Sequence, residues 1–307
     1  MPLQQSMFLD FLRPDQLLLN EPMMNHTTFR IGGPADLLAL PESGEEIEAA
    51  LSVCKRIEVA HLVIGNGSNL LFSDKGFRGV VIKISKGMSK MEVHEDEIVS
   101  QPGALLSATA AKALEEGLCG LEFASGIPGT LGGGVFMNAG AYGGELKDAF
   151  ACAKVILPDG TLRIFLPQDM EFSYRKSAVQ HNGGVLTEIT LKLKPGDFRE
   201  IKGKMDDFNS RRREKQPLEL PSAGSTFKRP EGYFAGKLIM DSGLRGFSVG
   251  GAQISEKHCG FVVNKSGATC EDVLKLIEHV QTAVMKNFGV MLEPEVKIIP
   301  EKCACRG

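Results

Sequence analysis

A mixed helix-and-strand protein of the α+β class, built from two or three domains, is what the sequence predicts, and three observations predict it. The 307 residues exceed what one ordinary hydrophobic core holds. Apolar positions switch along the chain between the alternation of strands and the three-to-four spacing of helices. The third observation is the stretch 126–144 (GIPGTLGGGVFMNAGAYGG), in which eight of nineteen residues are glycine. Glycine loses the most conformational freedom on folding, so such density in an ordered segment needs a compensating reason. The usual one is close approach of backbone to a ligand, with successive N–H groups forming a concave nest for an anion. Ile127, Leu131, Val135 and Phe136 show that the segment is packed rather than a polar linker. It is therefore expected to cradle the phosphates and ring of a large cofactor, with turns and tight helix–strand packing as the competing reading.

Composition narrows the class. At 43% hydrophobic and 24% charged residues with a net charge of −3, the chain reads as a soluble globular protein, and its scattered cysteines lead to a cytoplasmic location as the expectation. A slightly acidic balance gives no general attraction to nucleic acid. The first residues have no basic region followed by an apolar core, so no secretory signal is expected, and no apolar run approaches the ~18 residues of a membrane helix. The seven cysteines are odd in number and scattered, which fits reduced thiols. Cys303 and Cys305 are expected to be a frayed tail rather than a metal site, and no metal is expected.

Taken in order, residues 25–36 (NHTTFRIGGPAD) read as a strand running into a Gly-Gly-Pro turn. Ser43 and Glu46 form a capping box ahead of Ile47, Ala50, Leu51 and Cys54 at helical spacing. His61 to Ile64 is a short strand opening into Gly65, Asn66, Gly67, Ser68 and Asn69, a second candidate phosphate loop. It lacks the third glycine of a dinucleotide fingerprint, Leu70 standing in that place, and Gly236-Lys237 fails the ATPase loop. Val80 to Ile84 closes a first domain, 1–84. In a second, 85–196, a helix from about Ala104 to Glu116 stops at Gly117, and a hairpin turns at Pro158-Asp-Gly160. Val185 to Leu193 is its last strand. A third domain, 197–307, opens with a helix carrying Ile201, Met205 and Phe208 and ending in Arg211, Arg212 and Arg213, where basic residues suit the helix dipole. Serines and a glycine stand before two cations at 222–229 (SAGSTFKR), and a polar stretch at 250–264 runs into a strand. Thr269 and Asp272 cap a helix that stops at Gly289.

These blocks, in this order, resemble the bacterial UDP-N-acetylenolpyruvoylglucosamine reductase family. The resemblance rests on 25–36, 63–71 (VIGNGSNLL), 126–129 with 138–143 (NAGAYG), 173–175 (SYR), 223–227 (AGSTF) and 292–296 (LEPEV), and spans roughly residues 25–300. It implies a vanillyl-alcohol-oxidase-type (PCMH-type) FAD-binding fold of two α+β subdomains, with a C-terminal α+β domain closing over the substrate. Too little chain separates Leu193 from Ser225 for the tyrosine-bearing loop of some members, so the shorter type is implied. The implied activity is that of an NADPH-dependent flavoprotein reductase acting on a nucleotide sugar, as a monomer or weak dimer. FAD would be held non-covalently by Ile64, the loop 65–69, Gly126, Ile127, Pro128, Gly129, Gly133, Asn138, Gly140, Ala141, Tyr142, Gly143, Ile189 and Arg212.

The implied chemistry adds a hydride to a vinyl carbon and throws charge onto the neighbouring carbon and its carboxylate. Stabilising that charge calls for a cation or donor, and the carbanionic carbon calls for a proton. The resemblance gives the first role to Arg175, whose planar fork matches a carboxylate, and the proton to Ser225. Glu295 joins them provided burial keeps its carboxyl protonated; from the residues alone Glu293 competes for that role. Tyr174, Arg175, Lys215, Ser225, Arg229 and His258 are the expected substrate contacts, with Lys228 as a further cation. Two rival readings are a flavin-binding module without turnover, its Arg211 cluster meeting a partner anion, and an oxidase of the same fold with flavin attached to His26 or His61.

Overall fold

The computed structural model describes residues 5–302. Cys303 and Cys305 lie outside them. Among the described residues the five cysteines are free, and burial pushes the Cys54 thiol up to about 12 and the Cys270 thiol to about 11.

The first unit is a mixed sheet in the order Leu17–Pro22, Pro34–Ala39, Phe77–Lys83, His61–Ile64, of which the last three run parallel. Helix α1 (Gly44–Arg56) makes the crossover and buries Ile47, Ala50, Val53 and Cys54. Ser43 caps it, but the expected box is only half made: the Glu46 carboxylate reaches past Ser43 to the Glu42 N–H at 2.7 Å. The strand expected at 25–31 is absent. A 3-10 turn, Met23–His26, leads into irregular chain, and the strand begins after the Gly-Gly-Pro turn at Pro34. Residues 27–31 spend their hydrogen bonds across the units instead: Thr28 Oγ1 donates to Ser222 O at 2.7 Å, and Asn264 Nδ2 donates to Phe29 O at 3.2 Å.

The second unit is an antiparallel sheet in the order Leu162–Phe165, Phe150–Ile156, Val185–Lys192, Glu97–Ser100, Met91–His94. Helices α2 (Leu106–Glu115), α3 (Leu131–Phe136) and α4 (Val179–Asn182) belong to it, and the expected hairpin at 158–160 pairs Ile156 with Leu162. Helix α5 (Phe198–Lys215) buries Ile201 and Met205 in this unit's core, not in the next one. A change of domain at 196/197 therefore does not fit the packing; α5 goes with the second unit, because its one apolar stripe has its partner there.

The third unit is a sheet of Ser222–Ser225, Phe261–Asn264, Ala252–Ile254 and Ser248–Val249, covered by α6 (Ala235–Asp241) and α7 (Cys270–Phe288). Thr269 and Asp272 form the full reciprocal box at the start of α7, and Gly289 ends it in the left-handed region. Asp74 of the first unit adds a cap across the boundary, its carboxylate accepting from the N–H groups of Cys270 at 2.7 Å and Glu271 at 3.1 Å. Beyond α7 the chain returns to the first unit, where Lys297–Ile299 pairs in parallel with Leu70–Phe72. None of the helices among the described residues is long and apolar enough to cross a membrane.

Candidate active site

A cleft of about 2390 Å³ opens between the three units. That is more than twice the ~1,000 Å³ upper range of drug-sized sites, so it has room for a large cofactor beside a second ligand. The two glycine-rich loops lie in it against each other. Asn66 Nδ2 donates to Pro128 O at 2.6 Å, and a Cβ at Gly65 would stand 2.2 Å from Thr130 Oγ1. The loop 65–69 leaves the carboxyl end of the parallel strand His61–Ile64, where open parallel sheets take their ligands. Among the described residues the N–H groups of Asn66, Gly67, Ser68 and Asn69 donate to no protein acceptor, which leaves a row of donors for an anion.

The glycines of 126–144 divide between the two readings of that segment. Side chains at Gly132, Gly134 and Gly144 would collide with Pro102, Leu146 and Phe123 at 2.5–2.7 Å, so these three serve packing. Gly129 and Gly133 line the cleft with room to spare. Arg212 of α5 donates to the Gly126 carbonyl, while its Nε is buried without a partner among the described residues. An orphaned guanidinium donor and a row of free N–H groups fit the acceptor-rich phosphates and ring of FAD.

Five expected cofactor contacts are turned elsewhere. Asn138 is fully buried and its amide is used up as a brace, donating to Glu145 Oε2 and Ser173 O and accepting from Lys147 N. Ala141, Tyr142 and Gly143 form a tight hairpin with two left-handed residues at its tip, and Tyr142 stacks on Phe208 of α5 at 4.6 Å. Ile189 is fully buried in the second core, because its face of Val185–Lys192 looks inward.

Of the three expected catalytic residues, Arg175 and Glu295 are in contact and Ser225 lines the same cleft. Arg175 sits in a turn between Ser173 and Lys176 with φ of +58°, a conformation that non-glycine residues hold at a cost of about 1–3 kcal/mol and that clusters at functional sites. Gln180 braces that turn, donating to Arg175 O at 3.1 Å and Phe136 O at 2.6 Å. Arg175 Nε donates to Glu295 Oε1 at 2.8 Å and its Nη2 to Gly140 O at 3.2 Å. Glu295 is brought to Ser225 by a bridge between Phe227 and Pro294, with Glu295 N donating to Thr226 O at 2.8 Å. Burial raises the Glu295 carboxyl above the ordinary range, against the pull of Arg175, Lys228 and Lys297. Glu293 is instead exposed and paired with Lys228, which geometrically separates the two candidates. Among the described residues Ser225 Oγ has no protein partner, so it is free to turn toward a ligand.

Of the expected substrate contacts, Arg175 and Ser225 line the cleft and Tyr174, Lys215, Arg229 and His258 do not. Tyr174 Oη accepts from Arg229 N at 3.3 Å, while the Arg229 guanidinium lies 4.0 Å over the Phe234 ring. Lys215 is exposed at the end of α5. His258 is half-buried, burial lowers its ring below the ordinary histidine value, and its Nδ1 accepts from Gly260 N at 3.1 Å. Two residues of the site were not anticipated. Gln180 gives no local signal. Lys297 lines the cleft with its amine lowered by burial and by Lys228; standing two residues after Glu295, it shares that residue's face of the extended chain. Flavin attachment at His26 is unsupported, since both its ring nitrogens are engaged and it does not line the cleft. Arg211 pairs with Asp207 on its own helix rather than presenting a free cluster.

Comparison with known proteins places this geometry. The family described as "FAD binding domain" matches residues 35–165, and "UDP-N-acetylenolpyruvoylglucosamine reductase, C-terminal domain" matches 216–299. A protein named UDP-N-acetylenolpyruvoylglucosamine reductase from Agathobacter rectalis is 55% identical, covering 93% of this chain and 94% of its own. One of the same name from Caldanaerobacter subterraneus subsp. tengcongensis is 50% identical over 95% of this chain and 97% of its own. The crystal structure of UDP-N-acetylenolpyruvylglucosamine reductase from Thermus caldophilus superimposes with a TM-score of 0.79 at 36% identity, covering 92% of this chain and 98% of that one.

Proposed function

The chain belongs to the UDP-N-acetylenolpyruvoylglucosamine reductase family, and from that premise we propose that it reduces the enolpyruvyl ether of UDP-N-acetylglucosamine to the lactyl ether of UDP-N-acetylmuramate, in peptidoglycan precursor synthesis. The observation that carries the reading is that Arg175, paired with Glu295, and Ser225, drawn from three distant segments, line the cleft that the interlocked glycine loops also line.

FAD, when bound, supplies the chemistry of passing a hydride from NADPH to the vinyl carbon. The residues that would hold it are the loop 65–69, Gly126, Gly129, Gly133 and Arg212. The chain's own groups handle charge and protons. The Arg175 guanidinium faces the substrate carboxylate as charge builds on it, and its fork is pre-aimed by Glu295 and the Gly140 carbonyl. Glu295, its carboxyl raised by burial, adds a donor there without repelling the charge whenever it carries its proton. Ser225 gives its hydroxyl proton to the carbon next to the carboxylate. A serine is a weak acid, but an enolate carbon is a strong base, and Lys297 supplies positive potential for the alkoxide left behind. The same reading puts the protein in the cytoplasm, as a monomer or weak dimer.

The purified protein is expected to be yellow, to bleach with NADPH and to recover its colour when the enolpyruvyl nucleotide sugar is added. A colourless protein that takes up no FAD overturns the reading. A yellow one that bleaches but does not recover with this substrate leaves the cofactor site and removes the substrate.

A further inference from the structure

Beneath the glycine loop lies a chain of titratable groups that the reaction does not use. Lys83 Nζ stands 3.1 Å from His26 Nδ1, and His26 Nε2 stands 2.9 Å from Glu21 Oε1. The His26 and Glu21 side chains are only 14% and 22% exposed. A lysine ammonium carries donors alone, so Nδ1 has to accept; the ring is then neutral, with its proton on Nε2 and donated to Glu21. Asn25 Nδ2 donates to the same Glu21 oxygen at 3.2 Å.

Two members of this chain, Lys83 and His26, bear on the loop. Lys83 pairs in register with Ile64, the residue that launches it. The His26 carbonyl lies directly under Gly67, where an added Cβ would come within 2.2 Å, and Thr28 N donates to Gly67 O at 3.4 Å.

We propose that Glu21, His26 and Lys83 are positioning residues for the cofactor loop, a hydrogen-bonded chain that holds residues 65–69 toward the cleft while the His26 ring is neutral. The inference rests on the reading of that loop as part of the FAD site. A proton on Nδ1 removes the acceptor for Lys83 and sets two cations side by side. The groups acting on the ring are Glu21 from the strand Leu17–Pro22, Lys83 from Phe77–Lys83 and the uncharged Asn25 of its own turn; the loop itself brings no titratable side chain. Burial and Lys83 hold the ring's pKa below the ordinary histidine value. The neutral ring, and with it the loop's support, is therefore kept above that lowered pKa and lost as pH falls through it.

The test is FAD affinity, read by quenching of flavin fluorescence on the full chain stripped of flavin, from about pH 8 to about pH 5. The unaltered protein is expected to lose affinity on the acid side. His26→Gln, whose amide offers an acceptor to Lys83 and a donor to Glu21 but cannot titrate, should bind FAD with a flat profile. His26→Ala should bind roughly 10-fold more weakly throughout, as expected for loss of a charge-assisted hydrogen bond. A merely structural histidine would shift stability and leave the glutamine variant with the parent's acid-side loss; that result, or unchanged affinity in His26→Ala, overturns the proposal. Gly129→Asp serves as the control. If it binds FAD like the parent, the loop reading itself falls and takes the inference with it; if it loses FAD while His26→Ala does not, only the positioning role falls.

Discussion

The cleft has two kinds of lining. The glycine loops, 65–69 and 126–133, offer backbone: free N–H groups and flat positions with no titratable side chain. Arg175, Ser225, Glu295 and Lys297 offer side chains from three separate stretches of chain, and among them they carry strain, ion pairing and a displaced pKa. A backbone surface recognises what is constant in a ligand and has no titratable group of its own. A side-chain cluster can move a proton, but it is only as good as the packing that holds it. Binding and chemistry are thus separable here by mutation.

The sharpest separation is Ser225→Ala. NADPH should reduce the bound flavin at close to the parent rate, while reoxidation by the enolpyruvyl substrate slows by ~10⁴-fold, the upper range for a lost general acid. Stopped-flow flavin absorbance in each half-reaction checks it, and slowing of the first half-reaction would end the division of labour. Next in size is Gly129→Asp. A Cβ there meets only Ser68 Oγ at 3.4 Å and Leu106 Cδ1 at 3.6 Å, so the chain should fold with an unchanged far-ultraviolet spectrum. FAD should bind ~100-fold more weakly, because a carboxylate then faces the phosphates. Gly132→Ala makes the contrast within the same loop: its Cβ meets the Pro102 Cβ at 2.7 Å, so it should cost about 1–3 kcal/mol of stability in a denaturant titration.

Smaller again is Glu295→Gln. With its pKa raised by burial, Glu295 keeps its proton to higher pH than a free carboxyl, and the proposed role needs that proton. Turnover in the parent should therefore fall as pH rises through the raised value. The glutamine variant should lose that alkaline fall at a cost of about 10-fold in kcat. Identical pH–rate profiles would assign the titration to another group. The smallest effect is expected at Asp74→Ala, which removes a helix cap between units and touches neither lining. It should cost about 1 kcal/mol and roughly 2–4 °C in Tm, with FAD affinity and both half-reactions unchanged.

What could be read from the sequence was local. The caps at Thr269 and Ser43, the hairpin at 158–160 and the glycine loops announce themselves within a few residues, because turn and cap chemistry is short-range. Arg175, Ser225 and Glu295 came from resemblance; nothing in their neighbourhoods tells a surface turn from a site. What escaped depended on partners far away in the chain. The apolar stripe of α5 is plain, yet only packing shows that Ile201 and Met205 face the second unit. Asn138 looks like a ligand residue until Glu145, Ser173 and Lys147 are seen to occupy all of its amide. Residues 27–31 have the pattern of a strand but spend their hydrogen bonds across units.

The pairing of Leu70–Phe72 with Lys297–Ile299 bears on how the protein is made. Asn69, the last residue of the cofactor loop, donates through its side chain to the carbonyl of Glu295, 226 residues further on, and Lys297 N donates back to Asn69 O. A ribosome adding ~5–20 residues per second takes roughly 10–45 s to cover that distance. Through that interval Leu70–Phe72 has been synthesised but its neighbour has not, and the loop lacks one of its anchors. The first unit therefore emerges early and is completed late. Glu295, the partner of Arg175, and the strand that secures the cofactor loop arrive within a few residues of each other, so a nascent chain acquires that anchor and the carboxyl proposed for its site nearly together.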